Sequence, residues 1–474
     1  MLKNKEIKAG VGYTIGNILI KGITFLTLPI FSRLLSTSEY GFFNTYISYE
    51  NIIAIIIGLG MYGTIKNAKY DYPEKLDVFI SSILKISLYS LIIMFLITFI
   101  FKKQIFKYTS MDYFVVVLLL LQSFGTAMLN VSNARLSLDY DYKKYMKFAG
   151  FNTILNVILS LAFILTIFND KRSYGRILGS ALPLILIGGY IFYTEGKKSK
   201  FKLDKKMAKY ALYIGLPLIW HYLSQIISSQ FDRIMITSMV NSAATGIYSF
   251  VYTIASILTV IFYSIENVWT VWFYEQMDKR NYIDIRYVAR KYMTLIAAIT
   301  VLMMVGSKEV IIIMGDKEYW EGINLFIPII LGLYLLHLYT IPVGIEYYFK
   351  KTNYIAIVTA ISAIANIILN YFCIKIWGYW AAAYTTMISY FLMFILHWYI
   401  SQKLLKQNGI KEIFKLEEFS IFFFIISLLG ISVALLNPYP IIKYILFLIV
   451  ALLFMFKNRK DIQKLKSIII NKFK

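Results

Sequence analysis

The sequence is poor in the residues that build metal centres and disulfide frameworks. It contains one cysteine, Cys373, and three histidines among 474 residues. No internal disulfide can form, and no two histidines have metal-ligand spacing. Charged residues are also scarce, at 16% of the chain, whereas a soluble domain carries about 25%. These shortages exclude a disulfide-stabilised scaffold, argue against an ordinary soluble domain, and predict neither a metal site nor a cofactor.

Long apolar runs dominate the chain instead. Hydrophobic residues make up 59% of it, with a mean hydropathy of +0.64, and stretches of about 18 or more apolar residues recur, each long enough for one helical span. The pattern predicts an all-α integral membrane protein with about fourteen transmembrane helices. Their expected limits are 9–31, 42–64, 78–101, 113–133, 147–168, 175–194, 210–232, 243–264, 292–314, 323–346, 354–374, 380–401, 417–436 and 439–456.

Basic residues outnumber acidic ones by 49 to 26, for a formal net charge of +23. In a soluble protein this excess would suggest a nucleic-acid partner. Here most Lys and Arg residues fall in alternate connections, on the side that also carries both termini, so we expect cytoplasmic termini and no nucleic acid. No signal-peptide pattern precedes the first span. The densest basic segment, 195–209, is expected to lie against anionic lipid headgroups.

The two halves of the chain resemble each other weakly. Shifts of about 200 residues align three matching pairs: Phe31 with Phe231, Arg33 with Arg233, and Gly41 with Gly246. Six crossings per repeat is an even number, so the halves would be parallel repeats with substrate bound between them near the membrane midplane. The predicted domains are a six-helix N-terminal lobe (1–194), a linker (195–209), a six-helix C-terminal lobe (210–401), and two extra helices with a basic cytoplasmic tail (402–474).

Polar residues form stripes inside several apolar spans. At 100° per residue, four residues of the first span share one helical face, and so do four of the seventh. The members of these stripes are Thr14, Asn17, Lys21 and Thr24, then His221, Gln225, Ser228 and Asp232; Glu50, Tyr252 and Ser256 are polar positions in the second and eighth spans. Small polar residues also hold membrane helices together, which explains any single stripe. Stripes at matching places in both halves favour a hydrated central cavity.

Lys21 lies near the middle of the first span, where a cation costs at least a few kcal/mol on insertion scales. About ten residues separate it from either end, which makes snorkelling difficult. We therefore expect the ammonium to face water or an anion. The alternative is a neutral lysine, or one paired with a carboxylate such as Glu50.

Three other cations, Arg33, Lys85 and Arg233, are candidates for binding the same anion. Lys85 lies about two turns from a helix end, so snorkelling explains it equally well. The two arginines stand at the outer ends of their spans, where a clamp between the halves is the alternative. Asp232 would complete that clamp or bind an ion. The histidines are expected to pack or hydrogen-bond, with a proton-relay role for His221 as the exception.

Five segments together resemble polysaccharide flippases of the Wzx type, the polysaccharide transporter family of the MATE-like MOP superfamily. The likeness covers residues 1 to about 400, and its motifs are short but occur in order. They are "FLTLPIFSRLLSTSEYGFFNTY" (25–46), "YGRILGS" (174–180), the segment from "YIGLPLIWHYLSQ" onward (213–257), "GDKEYWEGINLFIPII" (315–330), and "KKTNYIAIVTAISAIANIILNYFCIKIWGYWAAAYTT" (350–386). The segment "VWFYEQ" (271–276) departs from the proline-bearing pattern of such proteins.

The resemblance implies a flippase that moves polyprenyl-pyrophosphate-linked oligosaccharide units from the inner to the outer leaflet of the bacterial cytoplasmic membrane, by alternating access. Such a protein is not an enzyme. Its partners would be the lipid-linked glycan and membrane lipids, with polysaccharide polymerase machinery as a further candidate and proton or sodium coupling left open. Lys21, with Lys85, Arg33 or Arg233, would balance the pyrophosphate charge.

Two rival functions use similar architecture. A cation-coupled multidrug exporter of the MATE type is expected to carry a carboxylate on the cavity face of its first helix, and the first span here has none. A flippase for the peptidoglycan precursor lipid II is closer, and only the substrate separates it. A membrane-embedded glycan polymerase or ligase would need a large outer loop with catalytic residues, which the short predicted loops do not provide.

Overall fold

The computed structural model describes residues 4–457, and within that range the chain forms helices and short connections but no β-strand. The all-α expectation is therefore confirmed for this part of the chain. The predicted basic tail from residue 458 onward lies outside the described residues. We call the side of the helix bundle on which the first helix begins the proximal side, and the side on which it ends the distal side.

The first half of the described chain contains eight α-helices. They are α1 (Asn4–Leu34), α2 (Thr37–Gly58), α3 (Ile65–Asp71), α4 (Leu76–Ile100), α5 (Lys102–Thr109), α6 (Tyr113–Asp139), α7 (Tyr142–Thr166) and α8 (Arg172–Lys198). Short 3-10 turns at Met61–Thr64 and Pro73–Lys75 precede and follow α3. The predicted span 113–133 is a longer helix in the structure, because Asp112 caps its start and Arg135 forms ion pairs near its end instead of ending it.

The second half, as far as residue 457, contains eleven α-helices. They are α9 (Lys205–Met239), α10 (Ser242–Ala255), α11 (Ile257–Asp278), α12 (Tyr282–Val305), α13 (Ser307–Met314), α14 (Phe326–Leu338), α15 (Thr340–Tyr348), α16 (Thr352–Trp377), α17 (Ala381–Gln407), α18 (Leu416–Leu436) and α19 (Pro440–Lys457). Further 3-10 turns lie at Lys317–Leu325 and Gly378–Trp380. Two predicted spans are broken: α10 gives way to α11 at Ser256, and α14 gives way to α15 at Tyr339.

Length and apolarity support ten membrane-spanning segments in the described chain, or eleven if α2 and the bent segment Met61–Asp71 count as one span. One of the ten, Thr352–Gln407, joins α16 and α17 across the turn at Gly378. The 35-residue helix α9 is long enough to cross a bilayer but is not among the ten, and it carries His221 and Gln225 in its middle. The expected count of fourteen is thus not confirmed, although the protein is a multi-pass helical membrane protein.

The two halves meet on the distal side at a pair of glycines. Cβ atoms built on Gly41 and Gly246 would lie 1.7 Å from the Ser242 carbonyl oxygen and 1.9 Å from the Thr37 carbonyl oxygen, respectively. Thr37 and Ser242 are the first residues of α2 and α10. The contact is therefore symmetric when the two helices are exchanged, as expected of a self-complementary interface. Only residues without a side chain permit this approach of two helix backbones.

The last two helices are attached to the remainder of the second half by ion pairs and hydrogen bonds. The ammonium of Lys443 in α19 is buried, 2.8 Å from a carboxylate oxygen of Glu309, and Lys308 donates to the Asn437 carbonyl oxygen at 2.8 Å. The position of Lys443 near the end of a span would suggest that its ammonium snorkels to the interface. The structure shows instead that Lys443 is paired inside the protein. Between α12, α18 and α19 lies an apolar groove of 990 Å³.

The glycine contact leads to a testable expectation for Gly246→Ala. An added methyl group must push α2 and α10 apart, and overpacking of this kind costs typically about 1–3 kcal/mol. We expect a lower thermal midpoint for the purified protein, measured by tryptophan fluorescence in detergent. Gly150→Ala is the matched control, since a Cβ on Gly150 in α7 would meet nothing within 4 Å. Equal midpoints for the two variants would contradict the importance of this contact.

Candidate substrate cavity

One face of α1 is packed at its distal end and uncovered at its proximal end. Leu28 and Ser32 follow Lys21 by seven and eleven residues, which at 100° per residue places all three within about 20° of one line along the helix. Leu28 is 4% exposed and Ser32 is 1% exposed, and both face the second half, whereas Lys21 is exposed. The same line therefore runs from a packed contact between the halves to an exposed position in the proximal part of the helix.

The proximal half of α1 is held from the opposite direction by α7. Cβ atoms on Gly12 and Gly16 would collide with the side chains of Tyr142 and Met146, and the Tyr145 hydroxyl donates to Asn17 at 2.7 Å. α7 therefore reaches Asn17 in the polar stripe, while Lys21 on the next turn remains exposed. Among the described residues, the Lys21 ammonium has no hydrogen-bond or ion-pair partner.

Glu50 is buried within the first half. Its carboxylate accepts a hydrogen bond from Thr126 at 2.6 Å, and its backbone carbonyl accepts one from Ser123 at 3.2 Å, so it is buried between α2 and α6. The structure therefore places Glu50 away from the predicted cavity, and the alternative in which it pairs with Lys21 is not observed. The reason is the rotation of α2, which turns this residue towards α6 within the first half.

The distal side is closed by hydrogen bonds between the halves. Ser32 donates to the Met314 carbonyl oxygen at 2.7 Å, Arg33 donates to the Ile313 carbonyl oxygen at 2.8 Å, and the backbone N–H of Thr37 donates to Glu318 at 3.2 Å. We call these contacts the distal seal. Arg33 belongs to the seal, as the clamp interpretation predicted, and not to the stripe that contains Lys21.

Asp232 and Arg233 form a buried ion pair at the distal end of α9, with a shortest distance of 3.2 Å. The Tyr248 hydroxyl donates to the other carboxylate oxygen, and the guanidinium lies 4.6 Å from the ring centre of Tyr252. Asp232 therefore pairs with Arg233, but the pair lies within the second half and does not clamp the two halves together. Because Asp232 neutralises it, Arg233 contributes little free charge to an anion in the cavity.

A cation that the sequence analysis did not select lies close by. The guanidinium carbon of Arg176 in α8 is 3.9 Å from the ring centre of Phe31 and 4.5 Å from that of Phe43. It donates to Asn156 and Ser160 at 2.5 and 2.7 Å, and no carboxylate pairs with it among the described residues. Arg176 belongs to the motif "YGRILGS" and lies at the predicted start of a span. At such a position a guanidinium is normally solvated at the membrane interface, and the sequence alone gives no sign that it packs between aromatic rings.

Tyr40 lies near two arginines, the half-buried Arg176 and the buried Arg233. Its hydroxyl lies within electrostatic range of both Arg176 and Arg233, and its ring packs edge to face on Tyr319, whose hydroxyl donates to the Leu35 carbonyl oxygen at 3.2 Å. Tyrosines and two guanidinium groups are therefore packed together at the distal contact between the halves.

The polar stripe of α9 is only partly exposed. Gln225 is exposed and lies 3.4 Å from a ring nitrogen of His221, and the Ser228 carbonyl oxygen accepts a hydrogen bond from Tyr390 at 3.0 Å. Ser256 donates to the carbonyl oxygen of Thr253 at the break between α10 and α11. These residues lie along one path from the proximal side to the buried Asp232.

The proximal half of α9 packs against the first half of the chain, while α1 touches α11 of the second half at only a few residues. A Cβ on Gly215 would lie 2.8 Å from the Leu59 carbonyl oxygen, and Tyr222 stacks on Tyr62 with ring centres 4.7 Å apart. The seam between α9 and the end of α2 is therefore closed on the proximal side. The corresponding seam between α1 and α11 is uncovered near Gly22, where a Cβ would meet nothing within 4 Å.

Three predicted site residues have more ordinary surroundings. The hydroxyls of Thr14 and Thr24 donate to carbonyl oxygens of the preceding turn of α1. Both residues stay on the polar face, but their donor hydrogens are already used within the helix. Lys85 is half-buried on α4, which packs against α2, α6, α8 and α9 and not extensively against α1. The structure thus does not bring Lys85 beside Lys21. No group of three metal-ligating side chains occurs within the described part of the chain.

These features define a class of protein: a multi-pass helical membrane protein whose two halves are joined on the distal side by hydrogen bonds and a close glycine contact. Several solved membrane transporters have a fold similar to that of this chain. The lipid II flippase MurJ in an inward closed conformation has a TM-score of 0.71 at 16% identity, covering 95% of this chain and 99% of its own. An inward-facing multidrug transporter of the MATE family in the MOP superfamily has a TM-score of 0.67 at 15% identity, covering 85% and 100%. An outward-facing MATE structure scores 0.57, at 15% identity over 85% and 96%.

The sequence comparison gives the family. The profile of the polysaccharide biosynthesis protein family matches residues 7–275, more than half of the chain, and the chain belongs to that family. Lsg locus protein 1 of Haemophilus influenzae is 23% identical over 371 residues, 76% of this chain and 89% of its own length. An uncharacterised membrane protein of Methanocaldococcus jannaschii is 21% identical over 438 residues, 86% of each chain. The resemblance seen in the sequence motifs is confirmed.

The buried ion pair predicts a large effect for Asp232→Ala. Removal of the carboxylate leaves a buried, unpaired guanidinium, and breaking such pairs costs about 3–5 kcal/mol. We expect a marked loss of thermal stability in detergent, while Asp232→Asn, which keeps a hydrogen-bond acceptor for Tyr248, loses less. Asp170→Asn, at an exposed position, serves as the control. If Asp232→Ala melts with the parent protein, Arg233 must have another counter-charge.

Proposed function

We propose that this protein is a flippase that moves oligosaccharide units linked to a polyprenyl pyrophosphate from the inner to the outer leaflet of the bacterial cytoplasmic membrane. The observation that carries the proposal is the position of Lys21, an exposed and unpartnered ammonium on the face of α1 that contacts the second half at its distal end. An unpartnered ammonium at this depth is costly in lipid. It is stabilised by water or by an anionic ligand.

The charge of the site suits a pyrophosphate. Lys21 and Arg176 have no carboxylate partner among the described residues, and neither cation is used in the distal seal. A guanidinium binds phosphate oxygens through two parallel donors. Arg233 is balanced by Asp232, so it positions Tyr252 and Tyr248 more than it attracts an anion. Between Gly10 and Leu34, α1 contains no carboxylate, which disfavours a site for cationic drugs.

The uncovered seam between α1 and α11 provides a lateral path. A lipid-linked substrate needs its glycan and pyrophosphate in water and its polyprenyl chain in hydrocarbon at the same time. An opening between these helices satisfies both needs, because the polar headgroup reaches Lys21 while the chain stays in the bilayer. The apolar groove between α12, α18 and α19 offers further surface of the same chemical kind.

Transport would follow from breaking the distal seal while the proximal seam closes. The distal seal consists of a few hydrogen bonds, which lie beside the close glycine contact. Water can replace these hydrogen bonds when the halves separate, so opening the seal need not disrupt either half. The better agreement with an inward-facing than with an outward-facing MATE structure supports assigning the proximal side to the cytoplasm, as the positive-inside rule does. The proposed function places both termini there.

The proposed function assigns a different role to each expected partner. The lipid-linked glycan and membrane lipids are direct partners, polysaccharide polymerase machinery would receive the product on the outer side, and a proton or sodium gradient would supply the driving force. The nearest alternative is transport of lipid II. It shares the polyprenyl pyrophosphate and differs only in the sugar and peptide, so transport of each substrate by the purified protein distinguishes them.

Substitution of Lys21 tests the proposal. We expect Lys21→Ala to abolish glycan export, or to lower it by more than about tenfold, since a charge-assisted contact contributes about 1.5–3 kcal/mol. Export is measured as surface polysaccharide in cells, with protein abundance followed by immunoblot. Lys103→Ala, on the exposed helix α5, is the control and should export normally. Full export by Lys21→Ala would remove this residue from the mechanism.

Arg176 gives a second, independent test. We expect Arg176→Gln to weaken binding of a soluble polyprenyl pyrophosphate analogue by about tenfold or more, because one guanidinium–phosphate contact is lost. Arg176→Lys should keep part of the affinity, as it retains the charge without the two-donor geometry. Binding is measured by isothermal titration to the protein in nanodiscs. Unchanged affinity in the glutamine variant would show that Arg176 only supports the packing of Phe31 and Phe43.

A further inference from the structure

The second half of the chain contains a buried acid–base pair that the proposed transport site does not use. The Nδ1 atom of His397 in α17 lies 2.7 Å from Oε1 of Glu346 in α15, and neither side chain has exposed surface. The remaining polar atoms, Oε2 of Glu346 and Nε2 of His397, have no hydrogen-bond partner within residues 4–457. Unsatisfied buried polar atoms cost about 1–3 kcal/mol each, so their retention calls for an explanation.

We propose that Glu346 and His397 form a proton-binding site that couples the conformation of the transporter to pH. Whether the proton lies on the imidazole or on the carboxyl group, the pair with one shared proton is electrically neutral. Loss of that proton leaves one net negative charge in a place without water access, and burial of an unpaired charge is strongly unfavourable. The described conformation therefore requires the protonated pair.

In the described part of the chain, no other charged group neutralises the pair at close range. The ring of Tyr339 stacks on His397 with ring centres 5.3 Å apart. Tyr347 of α15 and Tyr339 lie within electrostatic range of Glu346, and the titratable groups around these two tyrosines include Glu266 and Tyr263 of α11; Tyr292 of α12 and His337 of α14 belong to the same region. None of these is a cation partner: His337 faces Thr259 at 3.3 Å, and Glu266 would add negative charge. The ion pair of Asp232 and Arg233 lies further along α17, near Tyr390, and is already balanced.

The position of the pair connects it to the moving parts. Glu346 stands on α15, which follows the helix break at Tyr339 and packs against α11 and α17. α11 borders the uncovered seam beside α1, so a change in the packing of α15 reaches the helix that must move when the seam closes. Deprotonation would favour a conformation that admits water to the pair, at the expense of the one described here.

The test measures the conformational equilibrium without any substrate. In a Cys373→Ser background, spin labels at Ser38 and Lys317, two exposed positions on opposite sides of the distal seal, report its opening by electron–electron resonance in nanodiscs. We expect the sealed population to fall as the pH rises from about 5.5 to about 8.5, because a single coupled proton changes the equilibrium constant by up to about tenfold per pH unit.

Three variants decide the assignment. Glu346→Gln should remove the pH dependence, because no carboxyl group is left to ionise. His397→Gln should move the response to higher pH, because a buried carboxyl group without the imidazole holds its proton more tightly. His337→Gln, a matched buried histidine without a carboxylate partner among the described residues, should keep the parent response. The exchange variant with Glu346→His and His397→Glu rebuilds the pair and should restore the response if the single variants fold poorly. A parent protein insensitive to pH, or a response that survives Glu346→Gln, overturns the proposal. Because no glycan is present, this outcome is independent of the tests on Lys21.

Discussion

Cations inside an apolar bilayer need a partner, a hydrated space or a ligand, and this requirement organises the interior of the protein. Lys443 finds Glu309, Arg233 finds Asp232, and Arg176 is held between two aromatic rings and two neutral acceptors. Lys21 has none of these among the described residues. The cost of leaving this ammonium in lipid is large, and this cost is the reason for proposing that it lies on the substrate path.

The distal glycine contact determines how the two halves can move relative to each other. Helices α2 and α10 approach so closely at Gly41 and Gly246 that the backbones themselves form the interface. Such a contact has little side-chain interlocking, so it can act as a pivot or separate as a unit. The proximal side is less symmetric: α9 packs closely on the end of α2, whereas α1 touches α11 at only a few residues and is uncovered at Gly22. The proposed lateral path for a lipid uses this difference.

The chemistry of the two halves is divided in the same way. The first half presents the unpaired cations of α1 and α8 to the space between the halves, while the second half contains a paired arginine, a stripe of neutral polar groups and the buried pair of Glu346 and His397. In the two proposals, the first half therefore binds the anion and the second half binds the proton. Separation of this kind lets each ligand bias the same conformational equilibrium without competing for the same residues.

Several features of the protein follow from the sequence by itself, because they depend on periodicity and composition. Apolar runs of bilayer length predicted the all-α membrane fold, the spacing of Thr14, Asn17, Lys21 and Thr24 predicted one polar face, and the motifs identified the family. Tertiary structure decided which polar residues meet. The rotation of α2 turned Glu50 towards Thr126, the approach of α19 to α13 paired Lys443, and the packing of α8 on α1 and α2 placed Arg176 between Phe31 and Phe43. A sequence pattern specifies the face of a helix on which a residue lies, but the neighbour of that face depends on how the helices are rotated and packed, which is set by contacts between residues far apart in the chain.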